Sequence, residues 1–105
     1  MTDRYFAFLV EILSKPGSDL WNDNQQGGFG WFFVRARNEE MARRTLELEL
    51  EKLGQALKSV DDQFEVLSSE QLELEEHKQL FSLLKSEKWQ VQYRTLETYP
   101  FNVIE

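Results

Sequence analysis

The chain carries no cysteine and one histidine, His77, set in the acidic run Glu73-Leu74-Glu75-Glu76-His77-Lys78. Without a thiol there is no cysteine nucleophile, no thiolate metal site and no disulfide. One imidazole rules out a His-pair metal site and leaves a Ser-His-Asp arrangement a single base. Glu73 and His77 stand four residues apart, on one face of a helix, but two ligands without a third do not make a cation site. His77 therefore reads as a helix-surface residue among Glu73, Glu76 and Lys78. The sequence assigns no catalytic residue, no metal ligand and no cofactor site.

The densest charge feature is a stretch without Lys or Arg from Val60 to Glu76, holding Asp61, Asp62, Glu65, Glu70, Glu73, Glu75 and Glu76. It has no Asp-x-Asp-x-Asp-Gly spacing, so it is not a calcium loop. Its plain reading is a solvated helix face; its sharper reading is a docking surface for a basic protein partner. Trp21, alone in the polar connection Leu20 to Gln26, either folds back on the core or anchors an interface, where tryptophan is over-represented. The candidate partner-binding set is thus Asp61, Asp62, Glu65, Glu70, Glu73, Glu76 and Trp21. A small basic group, Arg35, Arg37, Arg43 and Arg44, is partly offset by Glu39 and Glu40, with Arg43–Glu47 or Arg44–Glu40 pairing along a helix.

The segment Gly27-Gly28-Phe29-Gly30 is not a phosphate loop. Such loops place glycines between a strand and a helix N-terminus, whereas these precede a strand and no Gly-Lys-Ser/Thr follows. They suit a flexible or bulged start to a hairpin strand.

The formal net charge of −7 disfavours sequence-independent nucleic-acid binding and an anionic membrane surface, and is compatible with a basic protein. No segment approaches the roughly 20 apolar residues of a membrane span, and the N-terminus lacks a cationic region and cleavage site. A cytoplasmic location is expected, with the lack of cysteine in keeping.

These side chains must be positioned by a single domain of 105 residues, long enough for one core. Residues 4–13 are rich in aromatic and branched side chains and predict a strand. Lys15-Pro16-Gly17-Ser18-Asp19 ends it with turn chemistry. Residues 29–36 predict its hairpin partner. Asn38 caps a helix expected over 39–57, with a stripe of Ala42, Leu46, Leu50, Leu53 and Leu57 and with Leu48 partly off it. Residues 60–67 predict a third strand. Ser68 to Gln71 forms a capping box for a second helix over 69–86, expected to bury Leu72, Leu80, Leu83 and Leu84. Residues 89–96 alternate as a fourth strand, ended near Tyr99-Pro100.

The order ββαβαβ predicts an α+β domain, a mixed four-stranded sheet with two helices on one face, ferredoxin-like or a related two-layer sandwich. Phe6, Phe8, Val10, Phe33, Leu46, Leu50, Leu53, Phe64, Leu80, Leu84 and Val91 are expected to be buried together. Many small bacterial proteins share this layout, so it carries no function by itself.

The functional expectation is a small acidic, non-catalytic protein-binding module, of the inhibitor or immunity type, covering a basic partner. Two alternatives stand beside it. One is a small-molecule-binding or enzymatic domain with a pocket between sheet and helices, lined by Trp31, Phe33 and Trp89 with Arg35 or Arg94 as anion contact. The other is a structural oligomer subunit, a homodimer formed through a sheet edge.

Overall fold

A computed structural model describes residues 3–86, 90–93 and 96–101. Its frame is the hairpin of β1, Arg4–Ser14, and β2, Gln25–Ala36. The two run antiparallel in unbroken register from Arg4 opposite Ala36 to Leu13 opposite Gly27. A four-residue helix, α1 (Asp19–Asn22), fills the connection; the Ser18 hydroxyl caps it by accepting from the Trp21 N–H. Helix α2 is Glu39–Lys52, capped by the Asn38 carboxamide, which accepts from the Met41 N–H at 2.8 Å. Strand β3 is Gln55–Glu65, followed by a 3-10 turn at Ser69–Gln71 and helix α3, Glu75–Ser86. Two short strands follow, β4 (Val91–Gln92) and β5 (Glu97–Pro100).

The class is α+β, as expected, but among the described residues the sheet has five strands and every hydrogen-bonded pair is antiparallel. The order is β3-β1-β2-β4, with β5 also on β2. Helix α2 does carry the chain from β2 to a parallel β3. Because β1 lies between them, the expected mixed sheet does not arise.

The helices sit on opposite faces of the sheet, not together on one. Phe6, Phe8, Val10, Ile12, Phe32 and Val34 pack against Ala42, Leu46 and Leu50 of α2. Ala7 and Phe33 pack on the reverse face against Leu80, Phe81 and Leu84 of α3, with Val66 and Leu72. The physical cause is in β1, where apolar residues occupy both alternating sets, so both faces need cover. The expected core divides accordingly. Leu53, Phe64 and Val91 are only half-buried, and Leu83 is exposed while Phe81 takes its place inside.

The boundaries moved for local reasons. Helix α2 stops at Lys52 and not at 57, because Gly54 takes φ +73° and its N–H tightens onto the Glu51 carbonyl at 3.0 Å instead of continuing the helical ladder. Leu57 then belongs to β3. The second helix starts late: Gln71 does reach back to the Ser68 N–H at 3.0 Å, but that box closes only the 3-10 turn. The glycines Gly27 and Gly28 lie inside β2, paired with Leu13 and Ile12. A Cβ on Gly27 would stand 2.2 Å from the Ile12 carbonyl oxygen and 2.7 Å from the Tyr99 hydroxyl, so this is close packing and not a flexible lead-in, while the register against β5 does shift between Gln25 and Gly27, as a bulged start would. The expected strand over 89–96 is replaced by β4 and β5, with Tyr99-Pro100 in a strand; Trp89, Arg94 and Thr95 lie outside the described residues.

No helix among the described residues is long and apolar enough to cross a membrane.

Candidate functional site

Helix α3 has 12 residues and spans about 18 Å, while the 11-residue β1 extends about 36 Å. The helix therefore covers one half of its sheet face, over Tyr5, Ala7, Trp31, Phe33 and Phe64. The other half is left open by the described residues. Residues opposite one another in the register share a face, so Leu9 with Trp31, Glu11 with Phe29, and Leu13 with Gly27 belong to this surface. Strand β5 adds Glu97 opposite Phe29, and Tyr99 opposite Gly27. On the β3 side Asp62 stands opposite Leu9.

Where the open half meets the start of α3 there is a cavity of about 390 Å³, lined by Leu9, Phe29, Gly30, Trp31, Leu74, Glu76, His77, Leu80 and Glu97. Its walls are aromatic and braced. Trp31 meets Phe64 edge-on at 5.7 Å and the His77 ring at 5.8 Å. Phe29 is 39% exposed and rests on Tyr99 at 5.7 Å. Leu74, 57% exposed, forms the outer lip. Among the described residues the charged side chains of the lining are acids, Glu76 from the first turn of α3 and Glu97 from β5.

Beside this cavity lies a hydrogen-bonded clasp. The Tyr99 hydroxyl donates to Glu11 Oε2 at 2.6 Å, and Lys58 Nζ donates to the same oxygen at 3.1 Å. These two bonds, Tyr99 first, hold the Glu11 carboxyl below its ordinary range. Burial and the neighbouring carboxylate push the Tyr99 phenol up to about 12. The clasp joins β5, β1 and β3 across the sheet.

The predicted acids are dispersed. Asp61 and Asp62 are exposed on β3, an edge strand, and the Ser59 hydroxyl donates to Asp61 at 3.0 Å. Glu65 is committed to Arg4, whose guanidinium donates to both carboxylate oxygens at 2.9 and 2.8 Å. Glu70 lies in the 3-10 turn, and it and Glu73 are exposed. Glu76 lines the cavity. Trp21, 39% exposed, packs edge-on against Phe101 at 4.9 Å. It sits at the α1 end of the sheet, whereas Glu65 pairs with Phe6 toward the other. Trp21 and the acidic run thus do not form one site.

His77 does not stand on a solvated surface. It is half-buried, with Phe33 at 5.3 Å as well as Trp31 against its ring. The expected pocket does contain Trp31, but Phe33 is fully buried beneath α3. Arg35 donates to the Leu84 carbonyl at 3.3 Å and lies 3.9 Å from Asp3, away from the cavity. Among the described residues no three His, Asp or Glu side chains form a set that would hold a metal ion.

Phe29, Leu9, Leu74 and Glu97 are the site residues that sequence reasoning missed. A signal existed for the first two. Phe29 and Leu9 fall on the same alternating apolar set as Trp31 and Ala7, which needs cover, although the helix expected over 69–86 hid how much of that set the 12 residues of α3 leave bare. Glu97 had none, since it joins only through the pairing of β5 with β2. No family model, no curated protein and no solved structure matches this chain.

Proposed function

We propose that this chain is a small acidic, non-catalytic protein-binding module of the inhibitor or immunity type. It docks a basic partner on the open half of the sheet and the acids beside it. The observation that supports this reading is an apolar floor of exposed Phe29 and half-buried Leu9 and Trp31, bordered by Glu76, Glu97 and Asp62. Apolar anchors at the centre with charges at the rim give an interface both affinity and steering. Asp61, Glu70 and Glu73 extend the negative field; Glu65, neutralised by Arg4, contributes little.

Catalysis finds less support. Among the described residues the cavity lining supplies His77 and two carboxylates but no hydroxyl, thiol or amine nucleophile. An anionic small molecule is disfavoured by Glu76 and Glu97. Edge pairing of two copies is disfavoured at β3, which carries two register shifts and exposes Lys58, Asp61, Asp62 and Gln63.

The test is association with a purified basic partner followed by stopped flow at several salt concentrations. Replacing Asp61 and Glu73 by Lys should slow association and flatten its salt dependence. Replacing Glu47 and Glu51 of α2 by Lys should do much less. Equal effects from both pairs would reduce the acidic surface to bulk charge and remove the reading.

A further inference from the structure

We infer that the cavity at the head of α3 is an arginine socket, receiving one guanidinium from the basic partner. The inference rests on the docking reading above and names what that surface grips. An occupant must satisfy two kinds of wall at once. Trp31 and Phe29 offer aromatic surface, while Glu76 and Glu97 offer carboxylates. A guanidinium matches both: its flat, weakly hydrated faces stack on rings and its edge donates in a fork to carboxylates. An ammonium group lacks the flat face, and a purely apolar side chain would desolvate the Glu97 carboxylate without supplying it a donor.

The socket is held in shape before anything binds. Trp31 is braced by Phe64 and by the His77 ring, and Phe29 by Tyr99, which is itself fixed through its hydroxyl to Glu11. Walls that need not be ordered on binding lose less entropy then. The occupant is a side chain of a protein and not a free small cation. The socket opens beside Asp62, the partner of its wall residue Leu9, and Asp61 on β3 and Glu73 in the connection before α3 are exposed to meet further basic residues of one segment.

The experiment is a titration of the 15N-labelled protein, followed by amide and indole resonances, with an acetylated and amidated Gly-Arg-Arg-Arg-Gly peptide. Its counterparts carry citrulline, a neutral shape mimic, or lysine; methylguanidinium is a fourth probe. The expected result is saturable shifts centred on the Trp31 indole N–H and the Phe29 and Glu97 amides. Affinity should fall about tenfold or more with citrulline, as for loss of a charge-assisted pair, and several-fold with lysine. Glu97→Gln and Phe29→Ala, both at exposed positions, should each weaken binding, and Glu47→Gln should not. Equal affinity for citrulline or lysine, no saturation, or methylguanidinium binding as tightly as the peptide would overturn the socket. So would shifts confined to β3 and the 3-10 turn, although the acidic docking reading would then stand. Loss of salt-steered partner association with the socket intact would sink the docking reading instead.

Discussion

The two faces of the β1–β2 hairpin are built from the same strands and finished differently. Toward α2, Phe6, Phe8, Val10 and Ile12 are each 3% exposed or less, sealed by the helix and by Leu20, Leu57, Val60, Tyr93 and Leu96. Toward α3 only the half holding Ala7 and Phe33 is sealed, and beyond it Leu9 and Leu13 are half-buried and Phe29 exposed. The sealed face holds the fold together. The open half keeps its aromatic side chains available, and carboxylates occupy the positions where a covered face would carry apolar ones. A protein that keeps an apolar shelf in water risks association, and acids at its border lower that risk while selecting what binds.

The largest expected effect separates the faces directly. Phe8→Ala should cost about 3–5 kcal/mol and Leu50→Ala about 2–5 kcal/mol, since each leaves a cavity in close-packed surroundings. Leu9→Ala, one position along β1 but on the open half, should cost about 1 kcal/mol, because its surface is only partly withdrawn from water. Urea midpoints at constant slope measure all three. A Leu9→Ala loss as large as that of Phe8→Ala would erase the distinction.

Gly27→Ala comes next, at about 1–3 kcal/mol, because a methyl group there has no room between the Ile12 carbonyl and the Tyr99 ring. Its effect should be read at the β5 end by amide exchange, with β3 protection unchanged.

The clasp gives the open face a pH signature. The folded state lowers the Glu11 carboxyl, so its stabilisation is present above the ordinary carboxylate range and is lost as pH falls through the lowered value. Tyr99 behaves in the opposite sense. With its folded value raised to about 12, its stabilisation is whole below the ordinary phenol range near 10 and is lost as pH rises through the folded value. Tyr99→Phe should lower the urea midpoint near neutrality, reduce the loss of stability in acid, and remove this alkaline component. An unchanged acid profile would mean that the Glu11 bonds are not kept in solution.

How much of this was legible depended on whether the determinants were local. The Asn38 cap and the Ala42–Leu46–Leu50 stripe are local, and α2 begins where they place it. The hairpin was legible for the same reason. What failed was decided across the chain. Leu53 and Leu57 continue the helical spacing, and only the positive φ of Gly54 turns the second of them into β3. The apolar residues on both alternating sets of β1 require cover on both faces, but a continuous apolar run does not say which helix covers which face. The acidic run was visible as composition, yet Glu65 is neutralised by Arg4, 61 residues away in sequence. The site itself depends on β5 bringing Glu97 to Phe29, a pairing that no spacing in the sequence encodes.

The smallest expected effect on stability decides the most about the open face. Phe29 is 39% exposed and its ring partner is Tyr99, so Phe29→Ser removes one tilted aromatic contact and little buried area. The cost should be about 1 kcal/mol or less. An ordinary structural aromatic at this exposure would show nothing more. If the shelf is reserved for a partner, the same substitution should weaken partner binding at least about tenfold, as for an interface anchor worth more than about 1.4 kcal/mol. Thermal unfolding by circular dichroism and a binding isotherm on the same sample read the two numbers side by side. A large fall in stability with proportionate loss of binding would make Phe29 part of the core. Loss of binding at nearly constant stability would show that this half of the sheet is left uncovered because something else covers it.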